Sequence, residues 1–134
     1  MGPNTALNSY QKWRVGNDIR SILLKDEEIV NQVGTNIYPL IASENTMGDF
    51  IVYVRNRYSK SSVKMGVYSD ECEVAVLGIS DNYDSAIALA SKIDNALVGL
   101  HTLDNGVRLQ ITLVDSTETY DDDKYIETLV FNIK

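Results

Sequence analysis

The sequence has few of the residues that stabilise or react outside an ordinary hydrophobic core. It contains one cysteine, one histidine and two prolines in 134 residues. A single cysteine cannot form an internal disulfide, so we expect the chain to mature in a reducing cytoplasm. No apolar run approaches the roughly 20 residues that cross a bilayer as a helix, so we expect no membrane partner.

Basic residues are also scarce, with 12 Lys and Arg against 19 Asp and Glu and a net charge of −7. This balance argues against general affinity for nucleic acid, which requires a cationic surface. The charge is unevenly placed, since residues 1–64 carry a net +2 and residues 65–134 a net −9. Such polarity can draw copies of one chain together head to tail, although two differently composed solvated surfaces explain it equally well.

Hydrophobic residues make up 44% of the chain, which is enough to bury a core. The length fits one domain over residues 1–134, with residues 1–12 as a loose N-terminal arm. Apolar residues recur at helical spacing in Tyr10–Lys25, in a short helix capped by Asp26, and in Tyr83–Val98, for which Asp81 is the expected N-cap.

The remaining segments have the composition and alternation of strands. The predicted strands are Asn36–Ile41, Phe50–Tyr58, Cys72–Ile79, Val107–Val114 and Tyr125–Ile133. Between them we predict a Ser-rich connection over Ser59–Glu71 and an acidic loop over Asp115–Lys124. The order predicts an α+β fold with a mostly antiparallel, four- to five-stranded sheet and helices packed on one face.

No arrangement of reactive residues predicts an enzyme, a metal site or a cofactor. His101 follows a helix, where a positive charge favours the helix C-terminus. Cys72 has acidic neighbours that would raise its pKa, so we expect a packed or edge thiol without a catalytic role. Asp121, Asp122 and Asp123 lack the alternate spacing, glycine and terminal Glu of a calcium loop. We therefore predict no catalytic residues, no metal ligands and no cofactor.

One basic segment stands out in the acidic chain, consisting of Arg55, Arg57, Tyr58, Lys60 and Lys64. It can be an exposed strand face, a protein contact, or a surface for nucleic acid with tyrosines to stack on bases. Opposite charges lie in the acidic run further along the chain. The candidate subunit-interface residues are therefore Arg55, Arg57, Tyr58, Lys60 and Lys64 with Asp121, Asp122 and Asp123.

The order of several short motifs resembles one protein family. The motifs are Ile19–Leu24, Ile29–Gly34, Asn36–Pro39, Phe50–Tyr53, Glu73–Ile79, Ser80–Ala86 and the strand pair from Leu109 to Ile133. Together they are similar to the tail-terminator, or tail-completion, proteins of long-tailed bacteriophages and prophages. The likeness covers about residues 15–134.

This resemblance implies a non-enzymatic virion protein that forms a homo-oligomeric ring, usually a hexamer. The ring would end tail-tube growth and join the tail-tube protein to the head connector protein at the head-proximal end of the tail. It would assemble in the host cytoplasm, and DNA would pass through without specific binding. The alternatives are a head–tail adaptor of a phage particle and a small ligand-binding host domain.

Overall fold

The computed structural model describes residues 9–43, 46–62 and 68–134; the side chains of Ser9, 60–62 and 68–71 lie outside that description. The helices are α1 Ser9–Trp13, α2 Val15–Leu24, α3 Glu27–Val33 and α4 Tyr83–Leu97. The strands are β1 Ile37–Pro39, β2 Phe50–Ser62, β3 Tyr68–Ser80, β4 Gly99–Thr102, β5 Arg108–Asp121 and β6 Lys124–Ile133.

The described strands form one six-stranded sheet in the order β1-β2-β3-β6-β5-β4. Every neighbouring pair is antiparallel except β1 with β2, which is parallel. The α+β class and the mostly antiparallel sheet are confirmed. The predicted strand count was too low because β4, a four-residue edge strand directly after α4, was not foreseen.

The helices cover one face of the sheet and share its core. Buried residues of α2, α3 and α4 join a single cluster with those of β2, β3, β5 and β6. On α4, Ala86, Leu89, Ile93 and Leu97 are fully buried, as the helical spacing predicts. Val52, Ala75 and Ile79, on the other face of the sheet, are buried but lie outside this cluster.

The helix starts differ in detail from the sequence prediction. Asp26 caps α3 by accepting a hydrogen bond from the Ile29 N–H at 3.1 Å, as expected. At α4, however, the cap is Asn82, whose Oδ1 accepts from the Ser85 N–H at 3.0 Å. Asp81, the predicted cap, lies one residue too early and its carboxylate instead contacts Lys124.

The predicted first helix is divided, and the predicted arm is partly helical. Arg14 separates α1 from α2 with backbone angles that are not helical. α1 takes up Ser9–Trp13, so the end of the expected arm is a helix, while residues 1–8 lie outside the described residues. β1 ends at Pro39 on the sheet edge, as the missing N–H of proline predicts.

Both predicted long loops were wrong, because the strands that flank them continue. β2 and β3 stay paired from Phe50↔Ile79 to Ser62↔Tyr68, so Ser59–Glu71 is largely a hairpin; residues 63–67 lie outside the described residues. β5 and β6 stay paired up to Asp121↔Lys124, so Asp115–Lys124 is strand and tight turn. Along β5 every side chain from Thr112 to Asp121 is exposed, so no buried alternation marks that part of the strand.

α4 approaches the centre of the sheet at Gly78 of β3. A Cβ placed there would lie 3.1 Å from Leu89 Cγ and 3.3 Å from Ile93 Cδ1.

We therefore expect Gly78→Ala to destabilise the fold by about 1–3 kcal/mol through overpacking, measured by urea unfolding. Ser91→Ala, on the exposed side of α4, is the control and should change stability by less than about 0.5 kcal/mol. Equal stability of the Gly78→Ala variant and the wild type would show that α4 does not pack this closely.

Candidate assembly interface

The basic segment lies on β2, on the part of the strand beyond its pairing with β1. β1 pairs with β2 only from Ile51 to Tyr53, and a bulge between Arg55 and Arg57 shifts the β2–β3 register. Because a bulge re-aims side chains, Arg55 and Arg57 do not follow the simple alternation expected from the sequence. Arg57 is exposed, whereas Arg55 and Tyr58 are half-buried.

Arg55 contacts the chain's own first helix. Its Nη1 donates to the Trp13 carbonyl oxygen at 2.8 Å, and its guanidinium carbon lies 4.2 Å from the centroid of the Trp13 ring. Trp13 also meets Tyr58 edge to face, with ring centroids 6.1 Å apart. Arg55 therefore fastens α1 to the sheet, which is a structural role that the sequence pattern did not indicate.

Of the other two residues of the basic segment, the structure describes only the backbone of Lys60. Lys60 belongs to the paired part of β2, opposite Asp70, but its side chain is outside the description. Lys64 lies outside the described residues altogether. Beyond the pair Glu73↔Asn132, β3 has no pairing with β6, so this hairpin extends past the sheet as a two-stranded ribbon.

The acidic residues form the turn between β5 and β6. Asp122 and Asp123 have φ angles of 50° and 61°, which fit a two-residue hairpin turn and which aspartate tolerates. Asp121, Asp122 and Asp123 are all exposed. Lys124, directly after the turn, is bound to Asp81 at 2.5 Å. The three aspartates thus lie at the end of two paired strands rather than in the ten-residue loop that was predicted.

The basic segment and the acidic turn lie at opposite ends of the sheet. Arg57 pairs with Glu73, which pairs with Asn132, whereas the acidic turn adjoins Lys124 at the other end of β6. At about 3.4 Å per residue, these ends are separated by roughly 25 Å along the strands. The structure therefore does not bring the two charged groups together within one copy of the chain.

Among the described strands, none pairs with the outer edge of β5 along much of its length, so this edge of the sheet is open. β4 pairs with β5 only between Arg108 and Ile111, and every residue from Thr112 to Asp121 is exposed. Unpaired backbone groups on an exposed edge can pair with another chain. Exposed apolar side chains occur on the β1 side of the molecule as well, at Leu40, Ile41 and Met47.

A pocket that the sequence did not reveal lies beside the acidic turn. It encloses about 250 Å³ between the start of α4 and the paired ends of β5 and β6. Its walls are Tyr83, Glu118, Thr119, Tyr120, Tyr125 and Glu127, which we call the tyrosine pocket. The Tyr120 and Tyr125 ring centroids are 4.9 Å apart and those of Tyr83 and Tyr125 are 5.4 Å apart.

Two carboxylates face each other across the tyrosine pocket. Glu118 and Glu127 are direct cross-strand partners, and the Tyr83 hydroxyl donates to Glu118 at 3.0 Å. The pKa of Glu127 is raised from 4.5 to about 7. Partial burial is the largest cause, and a hydrogen bond with Glu118 and the negative charge of Glu118 add to it. Like charges directly opposite on neighbouring strands destabilise a sheet, so the pair retains a proton near neutral pH.

The two residues considered for reactivity have structural roles. Cys72 is 1% exposed and packed in the core, and burial raises the pKa of its thiol more than the acidic neighbour Glu73 does, while Lys12 and Arg55 lower it. His101 Nε2 lies 2.7 Å from the Leu97 carbonyl oxygen, so the ring meets the last turn of α4 as expected. Within the described ranges, no three His, Cys, Asp or Glu side chains are grouped so that they could hold a metal ion.

Comparisons with known proteins give a similarity in fold. No protein-family model matches the sequence, and no curated protein matches it. Among solved structures, the fold is similar to a chain of the "Virion of native gene transfer agent (GTA) particle", with a TM-score of 0.70 and 21% identity. The match covers 86% of this chain and 89% of that chain. The two chains therefore share a fold over nearly their whole length.

In the part of the chain that the structure describes, no helix is long and apolar enough to cross a membrane.

The shared proton of the glutamate pair predicts how stability depends on pH. Because the pKa of Glu127 is raised in the folded chain, its contribution to stability is complete below about pH 4.5 and is lost as the pH rises through about 7. Burial also raises the pKa of Asp18, so this residue likewise makes the stability fall with rising pH, beginning at a lower pH than Glu127. We therefore expect the melting temperature to fall between about pH 4.5 and 7.

Glu127→Gln should remove most of this decline, because a neutral amide replaces the titrating carboxyl. Glu28→Gln, an exposed change in the first turn of α3, is the matched control and should leave the decline in place. An unchanged pH profile in the Glu127→Gln variant would contradict the shared proton.

Proposed function

We propose that this protein is a non-enzymatic structural virion protein, a tail terminator. In this role it forms a ring that ends tail-tube growth and joins the tail to the head connector at the head-proximal end. The observation that carries the proposal is the nearly full-length similarity in fold to a virion chain. The sequence motifs from Ile19 to Ile133 resemble those of tail-terminator proteins and independently support the same role.

The placement of the charges supports assembly through unlike surfaces. A ring needs heterologous contacts, in which one patch of a copy meets a different patch of the next. The basic segment and the acidic turn are complementary in sign and lie at opposite ends of the sheet, so they can meet only between copies. The open edge of β5 next to the acidic turn adds backbone groups to the same contact.

The proposed partners follow from the ring and from the remaining surfaces. The exposed apolar side chains Leu40, Ile41 and Met47 offer a contact for the tail-tube protein or the head connector protein. The net charge of −7 disfavours stable contacts with phosphates. DNA would therefore pass through the ring without being held.

Charge reversal on one side of the contact tests this assembly. Reversing Arg55 and Arg57 together should weaken oligomers at low salt, but Arg55 also holds α1, so its reversal would perturb the fold. The sharper variant is Arg57→Glu with Lys60→Glu, which leaves the Arg55–Trp13 contact intact. At low salt, light scattering should give a mass of several 15.0 kDa chains for the wild type and a much lower mass for this variant. An unchanged mass would reject the pairing of basic segment and acidic turn.

Mixing two complementary variants provides a stricter test. The second variant combines Asp121→Lys with Asp122→Asn and Asp123→Asn, since asparagine tolerates the positive φ of the turn. Each variant alone should dissociate, because the two surfaces that meet between its copies then carry charge of the same sign. An equimolar mixture should recover the oligomer by alternating the two chains. Failure of the mixture to assemble, with both variants folded by circular dichroism, would contradict the heterologous contact.

A further inference from the structure

The walls of the tyrosine pocket have the chemistry of a receptor for one cation. Three tyrosine rings surround the opening, with Tyr120 58% and Tyr83 42% exposed. Aromatic faces attract cations, and the two carboxylates on Glu118 and Glu127 supply acceptors for a forked donor. Among the residues that the structure describes, none that lines the pocket is basic, and Lys124, at this end of β6, is bound to Asp81.

The size of the pocket limits what it can hold. A volume of about 250 Å³ lies below the roughly 300–1,000 Å³ of sites for drug-sized ligands. It corresponds to several water molecules at about 30 Å³ each, which is the scale of one side chain. A guanidinium group is planar, stacks on aromatic rings and binds carboxylates with two parallel hydrogen bonds, so arginine fits these walls better than lysine.

We propose that the tyrosine pocket receives the arginine side chain of a second copy of this chain, namely Arg57 from its basic segment. Arg57 is exposed on β2 at the end of the sheet opposite the pocket, so the contact can form only between copies. The pocket adjoins the acidic turn through Tyr120 and Tyr125, which places it within the same heterologous contact. This inference rests on the proposed function for its partner, but the pocket itself can be tested without assembly.

Arginine binding is coupled to the proton of the glutamate pair. The groups that face Glu127 are Glu118 on β5, Tyr83 on α4 and Tyr125 on its own strand, with Asp94 of α4 along the adjoining groove. Asp84 and Asp123 add negative charge near Tyr83 and Tyr120. A guanidinium would replace the proton as the partner of the two carboxylates. The affinity of the tyrosine pocket for arginine should therefore rise with pH, by roughly tenfold from pH 6 to pH 8.

A direct binding measurement tests the pocket. The probe is N-acetyl-arginine amide, titrated into the full chain carrying Arg57→Ala, in which the pocket is vacant by the proposal. Two-dimensional NMR should show shifts of Tyr83, Tyr120 and Tyr125, with weaker binding at pH 6 than at pH 8 and weaker binding of N-acetyl-lysine amide. Absence of binding, or shifts elsewhere on the chain, would overturn the proposal.

Variants of the pocket sharpen this measurement. Glu118→Gln with Glu127→Gln should abolish both the binding and its pH dependence, while Glu28→Gln on the distant helix α3 should change neither. If the double variant does not fold, Tyr120→Leu at an exposed position should still weaken binding severalfold. Probe affinity that is unchanged in either pocket variant would contradict the site.

The identity of the occupant is tested by assembly in a double-mutant cycle. Arg57→Ala and Glu127→Gln should each weaken the self-association of the chain, and the combined variant should weaken it no further than the stronger single variant. Additive effects, together with intact probe binding, would show that another cation fills the pocket and would overturn the assignment of Arg57. Such a result would leave the ring itself unaffected, so the failure of this inference and the failure of the proposed function are distinguishable.

Discussion

The close packing of α4 on the centre of the sheet is the contact on which the rest of the structure depends. Four side chains of α4 are fully buried, and Gly78 allows Leu89 and Ile93 to approach the β3 backbone. α4 covers β3 and β6 most extensively, while α2 and α3 pack beside it. Because the helices pack mainly over the central strands, the β5 side chains from Thr112 to Asp121 and the Arg57 side chain on β2 remain exposed. Those exposed side chains form the surfaces that remain for other chains.

The exposed Arg57 and the acidic turn lie at opposite ends of the molecule. One end holds Arg57, where the β2–β3 ribbon leaves the sheet, and the other holds the acidic turn, the open β5 edge and the tyrosine pocket. The β2–β3 ribbon also carries acidic residues opposite its basic ones, since Glu73 pairs with Arg57 and Asp70 with Lys60. Like carboxylates on neighbouring strands repel each other, and in the proposed assembly Arg57 of one copy offsets that repulsion in the next. The same placement that is costly in a single chain is therefore favourable in an assembly.

The sequence predicted the elements whose apolar side chains are buried, and it missed the strand segment and the pocket whose side chains are exposed. The span of α4 followed from apolar periodicity, and the cap at Asp26 followed from the ability of its carboxylate to accept a helix N–H. The outer half of β5 has no such signal, because all of its side chains are exposed, and its run of Asp, Thr and Ser resembles a loop. The tyrosine pocket depends on the register Glu118↔Glu127, which the turn at Asp122 and Asp123 sets. Without that turn, nothing in the sequence places the six side chains of the tyrosine pocket together. The role of Arg55 was missed because its partner, the Trp13 carbonyl, belongs to a helix far away in the sequence.

The central claim is that unlike ends of one chain join into a closed ring. Heterologous contacts can equally produce an open filament, so closure distinguishes a terminator from a growing polymer. Native mass spectrometry of the wild-type chain at low ionic strength tests this most directly. The account predicts one dominant closed species, with six copies of the 15.0 kDa chain, at all concentrations above its assembly threshold. A chain that stays monomeric at every concentration, or a continuous series of lengthening oligomers, would contradict it.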